Sequence, residues 1–272
     1  MSLESYFIKQ FKSKKIGDDG AVVENRIYVQ DAFFESIHFK REWFSLSEIA
    51  FKSVAVNISD IYAMGGVPKY GLLTVAIPKD YSKADLRELA SGFHKAEKEF
   101  NFEIIGGDTI SNSKLDISVT VVGEAKKPIK RKAKVDEFVA YSGNVGEVGR
   151  DLQKLLKGGK IKRSSRFIKP QLNPKFIYKI APLITAGMDI SDGIYTDLSR
   201  IAKESRLNFK FLKNLSKSIG CSGEEYGFLF TFPKRNIREI EAIARGMGVD
   251  ITIFAETTKR GLYRDKCKPH HF

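Results

Sequence analysis

Ser45-Leu46-Ser47-Glu48-Ile49-Ala50-Phe51-Lys52-Ser53-Val54-Ala55-Val56-Asn57-Ile58-Ser59-Asp60-Ile61-Tyr62-Ala63-Met64-Gly65-Gly66 is the stretch on which the fold turns. Ser45 and Glu48 have capping-box spacing, and Gly65-Gly66 stops the run, so a helix is expected over about 48–64. It is apolar nearly all round and must therefore be covered on every side. Strand-like segments flank it, at 27–30 before and at 72–77 after. A second helix opens at Ser82-x-x-Asp85 and places Leu86, Leu89, Ala90, Phe93, Ala96 and Phe100 on one stripe. From Leu115 to Val121 apolar and polar residues alternate, as in a half-buried strand.

The run Lys126-Lys127-Pro128-Ile129-Lys130-Arg131-Lys132 is charged and without period, and a boundary is placed there. Beyond it come a strand at 137–142, a turn spaced by Gly143, Gly146 and Gly149, and a helix from about Glu147 to Gly158-Gly159. Another helix is expected near Ser191-Asp192, capped by one of those two residues. A strand at 226–232, a helix at 236–247 and a strand at 250–255 follow. Strands and helices mix in both halves, so the fold class is α/β (α+β), with domains at 1–126 and 127–272.

Composition narrows the function classes. With 42% hydrophobic residues the 272-residue chain can build real cores. Cys221 and Cys267 stand far apart and suggest neither a metal pair nor a disulfide framework. Met1-Ser2-Leu3-Glu4-Ser5 lacks a secretory pattern, and no apolar run approaches the roughly 18 residues that span a bilayer. A soluble, reducing, cytoplasmic setting is the expectation, with no membrane partner. The net charge of +13, from 46 Lys+Arg against 33 Asp+Glu, invites anions. Without interleaved aromatics the basic stretches are expected to steer phosphate ligands rather than read nucleic acid. A basic nucleic-acid-binding protein is the alternative of another class.

Against that positive background, short acidic phrases sit where hydrophobic segments meet glycines: Gly17-Asp18-Asp19-Gly20, Gly106-Gly107-Asp108-Thr109 and Asp189-Ile190-Ser191-Asp192-Gly193. Asp60 lies inside the buried helix, on one face with Ser53, Asn57 and Met64. Amide capping is disfavoured near the helix's negative end, and a bound cation removes the difficulty. Taken singly, the Asp18-Asp19 and Gly107-Asp108 phrases are ordinary turns or strand-ending loops. Clustered carboxylates suit Mg²⁺, and Mg²⁺ commonly accompanies phosphate, so metal-dependent phosphoryl transfer is the expected chemistry. No Walker A or Gly-x-Gly-x-x-Gly pattern is present. The four histidines, His38, His94, His270 and His271, show no zinc spacing, and His94 is expected at the surface.

In order and spacing, these phrases together resemble the thiamine-monophosphate kinase family of the aminoimidazole-ribonucleotide-synthetase-like superfamily. The resemblance runs from Gly17 to Gly227 through Asp31 to His38-Phe39, Ala55 to Pro68, Gly106 to Thr109, Asp189 to Gly193 with Asp197-Leu198, and Ser222-Gly223-Glu224-Glu225-Tyr226. It implies a two-domain PurM-like architecture whose N-terminal domain contributes strands to the β-barrel of a homodimer. It also implies ATP-dependent phosphorylation of thiamine monophosphate to thiamine diphosphate with several Mg²⁺ ions. Carried over by motif, Asp19, Asp31, Asp60, Asp108 and Asp189 hold a metal cluster and Asp192 a further ion. Of these, Asp60, Asp108 and Asp189 sit nearest the chemistry. Gly107, Asp108, Arg131 and Ser191 meet ATP; His38 and Glu224 meet thiamine monophosphate. Val29-Gln30 replace the usual Ser-Thr before Asp31, and Pro269 stands where an aromatic commonly packs on the substrate. A superfamily phosphotransferase with another acceptor, such as selenophosphate synthetase or a hydrogenase-maturation protein, would call for a reactive cysteine or selenocysteine near the N-terminus or a terminal cysteine, and neither appears here, Cys267 being near the end but not terminal.

Overall fold

A computed structural model describes residues 3–267, so the tail with Pro269, His270 and His271 lies outside the described residues. In chain order the elements are α1 (Leu3–Ile8), β1 (Ala21–Val23), β2 (Arg26–Phe34), α2 (Leu46–Ala63), β3 (Val67–Pro78), α3 (Lys83–Phe100), β4 (Glu103–Asn112) and β5 (Asp116–Glu124). They continue with β6 (Glu137–Ser142), α4 (Glu147–Leu156), α5 (Pro174–Ile180), β7 (Ala186–Asp189), α6 (Ile194–Ser205), β8 (Asn208–Phe211), α7 (Lys217–Gly220), β9 (Phe228–Pro233), α8 (Ile237–Met247) and β10 (Ile251–Thr258).

The fold is mixed α/β, built on two five-stranded sheets ordered β1-β2-β5-β3-β4 and β7-β9-β6-β10-β8. Every pairing is antiparallel except β3 with β4, which α3 connects by a crossover. The capping box opens α2 as expected, with Ser45 and Glu48 exchanging hydrogen bonds with each other's backbone N–H. Every residue of α2 except Glu48 and Asp60 is buried. It lies on β2, β3 and β5, packs along α3, and also touches β7 and α5 of the second half. Gly92 allows the α3 contact, since a Cβ there would stand 2.1 Å from the Ser47 carbonyl oxygen. The larger hydrophobic cluster accordingly runs from Ile27 in β2 to Phe230 in β9, across both sheets.

Alternation divides the first sheet cleanly. Ile27, Val29 and Phe33 of β2 face inward with Ile117, Val119 and Val121 of β5, and Asp31 shares that inner face. Tyr28, Tyr70, Leu72 and Ile110 stand on the outer face, which no helix among the described residues covers.

Three expectations are corrected. The phrase Gly106-Gly107-Asp108 is not a strand-ending loop but the middle of β4. There Gly107 lets β3 approach so closely that a Cβ would stand 1.7 Å from the Leu73 carbonyl oxygen. The helix after Asp192 begins at Ile194 behind Gly193, and neither Ser191 nor Asp192 caps it. Cys221 and Cys267 form a disulfide, with Cα atoms 5.6 Å apart across a separation of 46 residues. The chain's path brings the end of α7 to the C-terminal segment, a proximity that spacing alone conceals.

Candidate active site

A cavity of about 690 Å³ opens between α2, β2, α4 and the loops that follow β7 and α7. Asp19, Asp31, Asp60, Asp189, Asp192, Arg131, Ser191, His38 and Glu224 all line it. Ligand oxygens of Asp19, Asp60 and Asp189 lie within 4.8 Å of one another. Three elements deliver them: the loop before β1, the last turn of α2, and the end of β7. Asp31 comes from the inner face of β2, where its backbone N–H donates to Asn57 Oδ1 of α2 at 2.9 Å. That bond explains the polar stripe on α2, for Asn57 fastens the strand while Asp60, one turn on, faces the cavity.

Burial sets the electrostatics. Desolvation pushes the Asp60 carboxyl well above the usual range, and the charges of Asp189, Asp31 and Asp19 push it further. Asp189 is raised well above that range by its own burial and by Asp19 and Asp197, against a 2.8 Å hydrogen bond from Ser59 Oγ. Asp19 and Asp31 are raised too, chiefly by desolvation. Two arginines offset part of this negative charge. Arg131 pairs with Asp19, and its backbone N–H donates to Asp18 Oδ1 at 2.9 Å. Arg200 pairs with Asp192 and Asp197, the latter pushed by burial up to about 7.

His38 and Glu224 line the same cavity with partners of their own. His38 Nδ1 accepts from the Phe34 backbone N–H at 3.0 Å, which leaves the hydrogen on Nε2. The 222–227 loop holds Glu224 and Tyr226 at left-handed φ values of 55° and 49°, backbone costs that cluster at working sites. Beneath it, Glu225 Oε1 accepts from the Gly146 and Val148 N–H groups at 2.7 and 3.2 Å. The glycine-spaced turn before α4 therefore grips a carboxylate of the chain itself and is no phosphate cradle.

Gly107 and Asp108 are not brought to this cavity. Asp108 pairs in register with Thr74 and so stands on the outer face of the sheet, opposite to Asp31. Its Oδ1 accepts from the Thr109 backbone N–H at 2.9 Å. His94 is exposed on α3, as expected.

Residues 17–125 match the family model described as AIR synthase related protein, N-terminal domain. A thiamine-monophosphate kinase of Nitrosopumilus maritimus is 31% identical, over 95% of this chain and 92% of the relative. That of Bacillus subtilis is 32% identical, over 74% and 67%. The structure of AaThiL complexed with AMPPCP and TMP superposes with a TM-score of 0.85 at 26% identity, covering 98% of this chain and 93% of that one.

The chain belongs to the thiamine-monophosphate kinase family.

As a thiamine-monophosphate kinase family member it is an enzyme of the kinase class, and the acidic cluster can be judged for a divalent cation on its own geometry. The residues fit one. Asp189 Oδ1 is buried without any hydrogen-bond partner, beside carboxylates that repel it. Hard oxygen donors of this kind suit Mg²⁺. Motif reading did not find Arg200 and Lys52. Arg200 left a local signal in its i,i+3 spacing from Asp197, while its pairing with Asp192 reaches back from α6 to the loop before it. Lys52 did leave a trace, as the one Lys or Arg in α2.

Proposed function

We propose that this kinase transfers the γ-phosphoryl group of ATP to the phosphate of thiamine monophosphate, giving thiamine diphosphate and ADP. A terminal oxygen of the acceptor phosphate bonds to the γ-phosphorus as the bond to the β,γ-bridging oxygen breaks, in line. A phosphate monoester is largely dianionic at neutral pH, with a second pKa of about 6, so no strong base is needed. What the site must do is align two polyanions and offset their repulsion. The observation that carries this reading is the cavity itself, lined by three converging carboxylates, two arginines, His38 and Glu224.

Asp19, Asp31, Asp60, Asp189 and Asp192 would hold Mg²⁺, which supplies charge neutralisation and alignment of phosphate oxygens. Arg131 and Ser191 would bind the phosphates of ATP. Arg200, through Asp192 and Asp197, would keep the Ser191-Asp192 loop in place. His38 would donate from Nε2 to the acceptor, and Glu224 would accept from it. Gly107 and Asp108 belong to the outer face, so their part in binding ATP and metal would be played where a second copy closes a barrel. The exposed Tyr70, Leu72, Ile105 and Ile110 support that homodimer. The division into domains at 1–126 and 127–272, and a cytoplasmic setting, form part of this reading.

Incubation with ATP, MgCl₂ and thiamine monophosphate, followed by chromatographic separation, tests it. Thiamine diphosphate and ADP are expected in equal amounts. ADP and free phosphate without thiamine diphosphate would show that the acceptor is misassigned.

A further inference from the structure

One charged group inside the molecule has no part in the chemistry just described. Lys52 lies in the middle of α2 with no exposure to solvent. Its ammonium donates to the Phe167 carbonyl oxygen at 2.7 Å and to Glu224 Oε2 at 2.6 Å. The rings of Phe167, Phe44 and Phe33 surround it, their centroids 4.1, 5.4 and 5.8 Å from Nζ. A buried ammonium is costly to desolvate, and apolar residues of like volume in place of the whole Lys52–Glu224 pair would commonly be neutral or stabilising, whereas losing one partner alone is destabilising. Stability of the helix therefore gives no reason for a lysine here. What the ammonium does is reach across from α2 and take hold of one carboxylate in the wall of the cavity.

The consequence falls on the acceptor subsite. Glu224 is partly open to the cavity, and with Oε2 held by Lys52 its Oε1 is the oxygen left for a ligand. The residue's left-handed backbone is fixed as well, since its N–H donates to the Ser191 carbonyl oxygen at 2.7 Å. Phe33 extends the arrangement: one ring lies under the Lys52 ammonium and stacks on His38, with centroids 6.0 Å apart. Both side chains assigned to the acceptor are thus braced by the same buried cation and its aromatic cage.

We propose that Lys52 is a positioning residue for the acceptor subsite, holding the Glu224 carboxylate aimed at thiamine monophosphate while leaving the binding of ATP untouched. This rests on the reading of Glu224 as an acceptor contact. A fixed carboxylate suits a ligand whose thiazolium ring carries a permanent positive charge.

The test compares Lys52→Met, Glu224→Gln and the double variant, with Michaelis constants measured separately for thiamine monophosphate and ATP. Lys52→Met should raise the constant for thiamine monophosphate at least tenfold and leave that for ATP within twofold. Lys52→Arg should restore part of the loss. The double variant removes both charges, so it leaves no ion unpaired should Lys52→Met fail to fold. It should match Glu224→Gln in both constants, because Lys52 acts through Glu224. A double variant weaker than Glu224→Gln toward ATP as well would overturn the proposal in favour of a purely structural lysine. So would a change of less than twofold for thiamine monophosphate in a folded Lys52→Met. If Glu224→Gln itself leaves that constant unchanged, the assignment of Glu224 fails instead, and the two failures are told apart.

Discussion

Asp60 states the central conflict of the site at the scale of one residue. It ends a buried helix where the helix dipole is negative, and three more carboxylates, those of Asp19, Asp31 and Asp189, raise its pKa by their charge. Such a group destabilises the metal-free chain and makes sense only if something positive enters the cavity. Asp60→Asn should therefore act in opposite senses on two measurements. Turnover with Mg²⁺ should fall by roughly 10²–10³-fold or more, as expected of the role in charge stabilisation proposed for the group. Denaturant unfolding in EDTA should show a gain of about 1 kcal/mol, the common outcome when a strained site charge is removed. Near-normal turnover would exclude Asp60 from the metal site. Lost turnover joined to lost stability would make it a structural carboxylate.

Elements were legible from sequence wherever a local rule decided them. The capping boxes at Ser45 and Ser82 opened α2 and α3, and the alternation from Leu115 announced β5. What stayed hidden depended on partners distant in the chain. The two glycines of β4 look like a turn until β3 lies beside them, and only then does the Leu73 oxygen, 1.7 Å from where a Cβ would stand, explain Gly107. The site was similarly divided. Carboxylates beside glycines could be read as candidate ligands, whereas Lys52 acts through a contact with Glu224, 172 residues away, that no spacing encodes. The disulfide is the plainest case. Cys221 borders the cavity, and Cys267 secures a C-terminal segment also held by Tyr263, whose hydroxyl donates to the Tyr195 carbonyl oxygen at 2.8 Å. Closing a loop of this length restricts the unfolded chain by about 4 kcal/mol. Cys267→Ser should accordingly lower the melting temperature by roughly 10 °C in scanning calorimetry. Wild-type protein under a thiol reductant should melt with the variant. Equal melting of oxidised wild type and variant would mean that the bond does not stabilise the native chain.

The whole molecule is organised about α2. Its last turn supplies Asp60, its middle reaches Glu224 through Lys52, and its flanks cover the first sheet while touching β7, the strand that carries Asp189. A helix buried this fully leaves the opposite face of the first sheet without a cover among the described residues. On that face Leu72 and Ile110 are 43% and 52% exposed, Tyr28 and Tyr70 lie along it, and Asp108 stands between β3 and solvent. A sheet face with exposed apolar residues beside the carboxylate proposed to meet ATP and metal is best covered by a second copy in the same arrangement, since closed two-fold pairing is the commonest way to bury one. Sedimentation equilibrium should then give twice the 30.7 kDa of the chain. Leu72→Glu places a charge at the centre of the face and should yield a monomer with its melting temperature little changed. If Asp108 works only in the assembled pair, that monomer should also lose affinity for ATP while the buried cavity keeps its affinity for thiamine monophosphate. A Leu72→Glu protein that remains dimeric, or a monomeric wild type with full turnover, would remove the outer face and Asp108 from the working site.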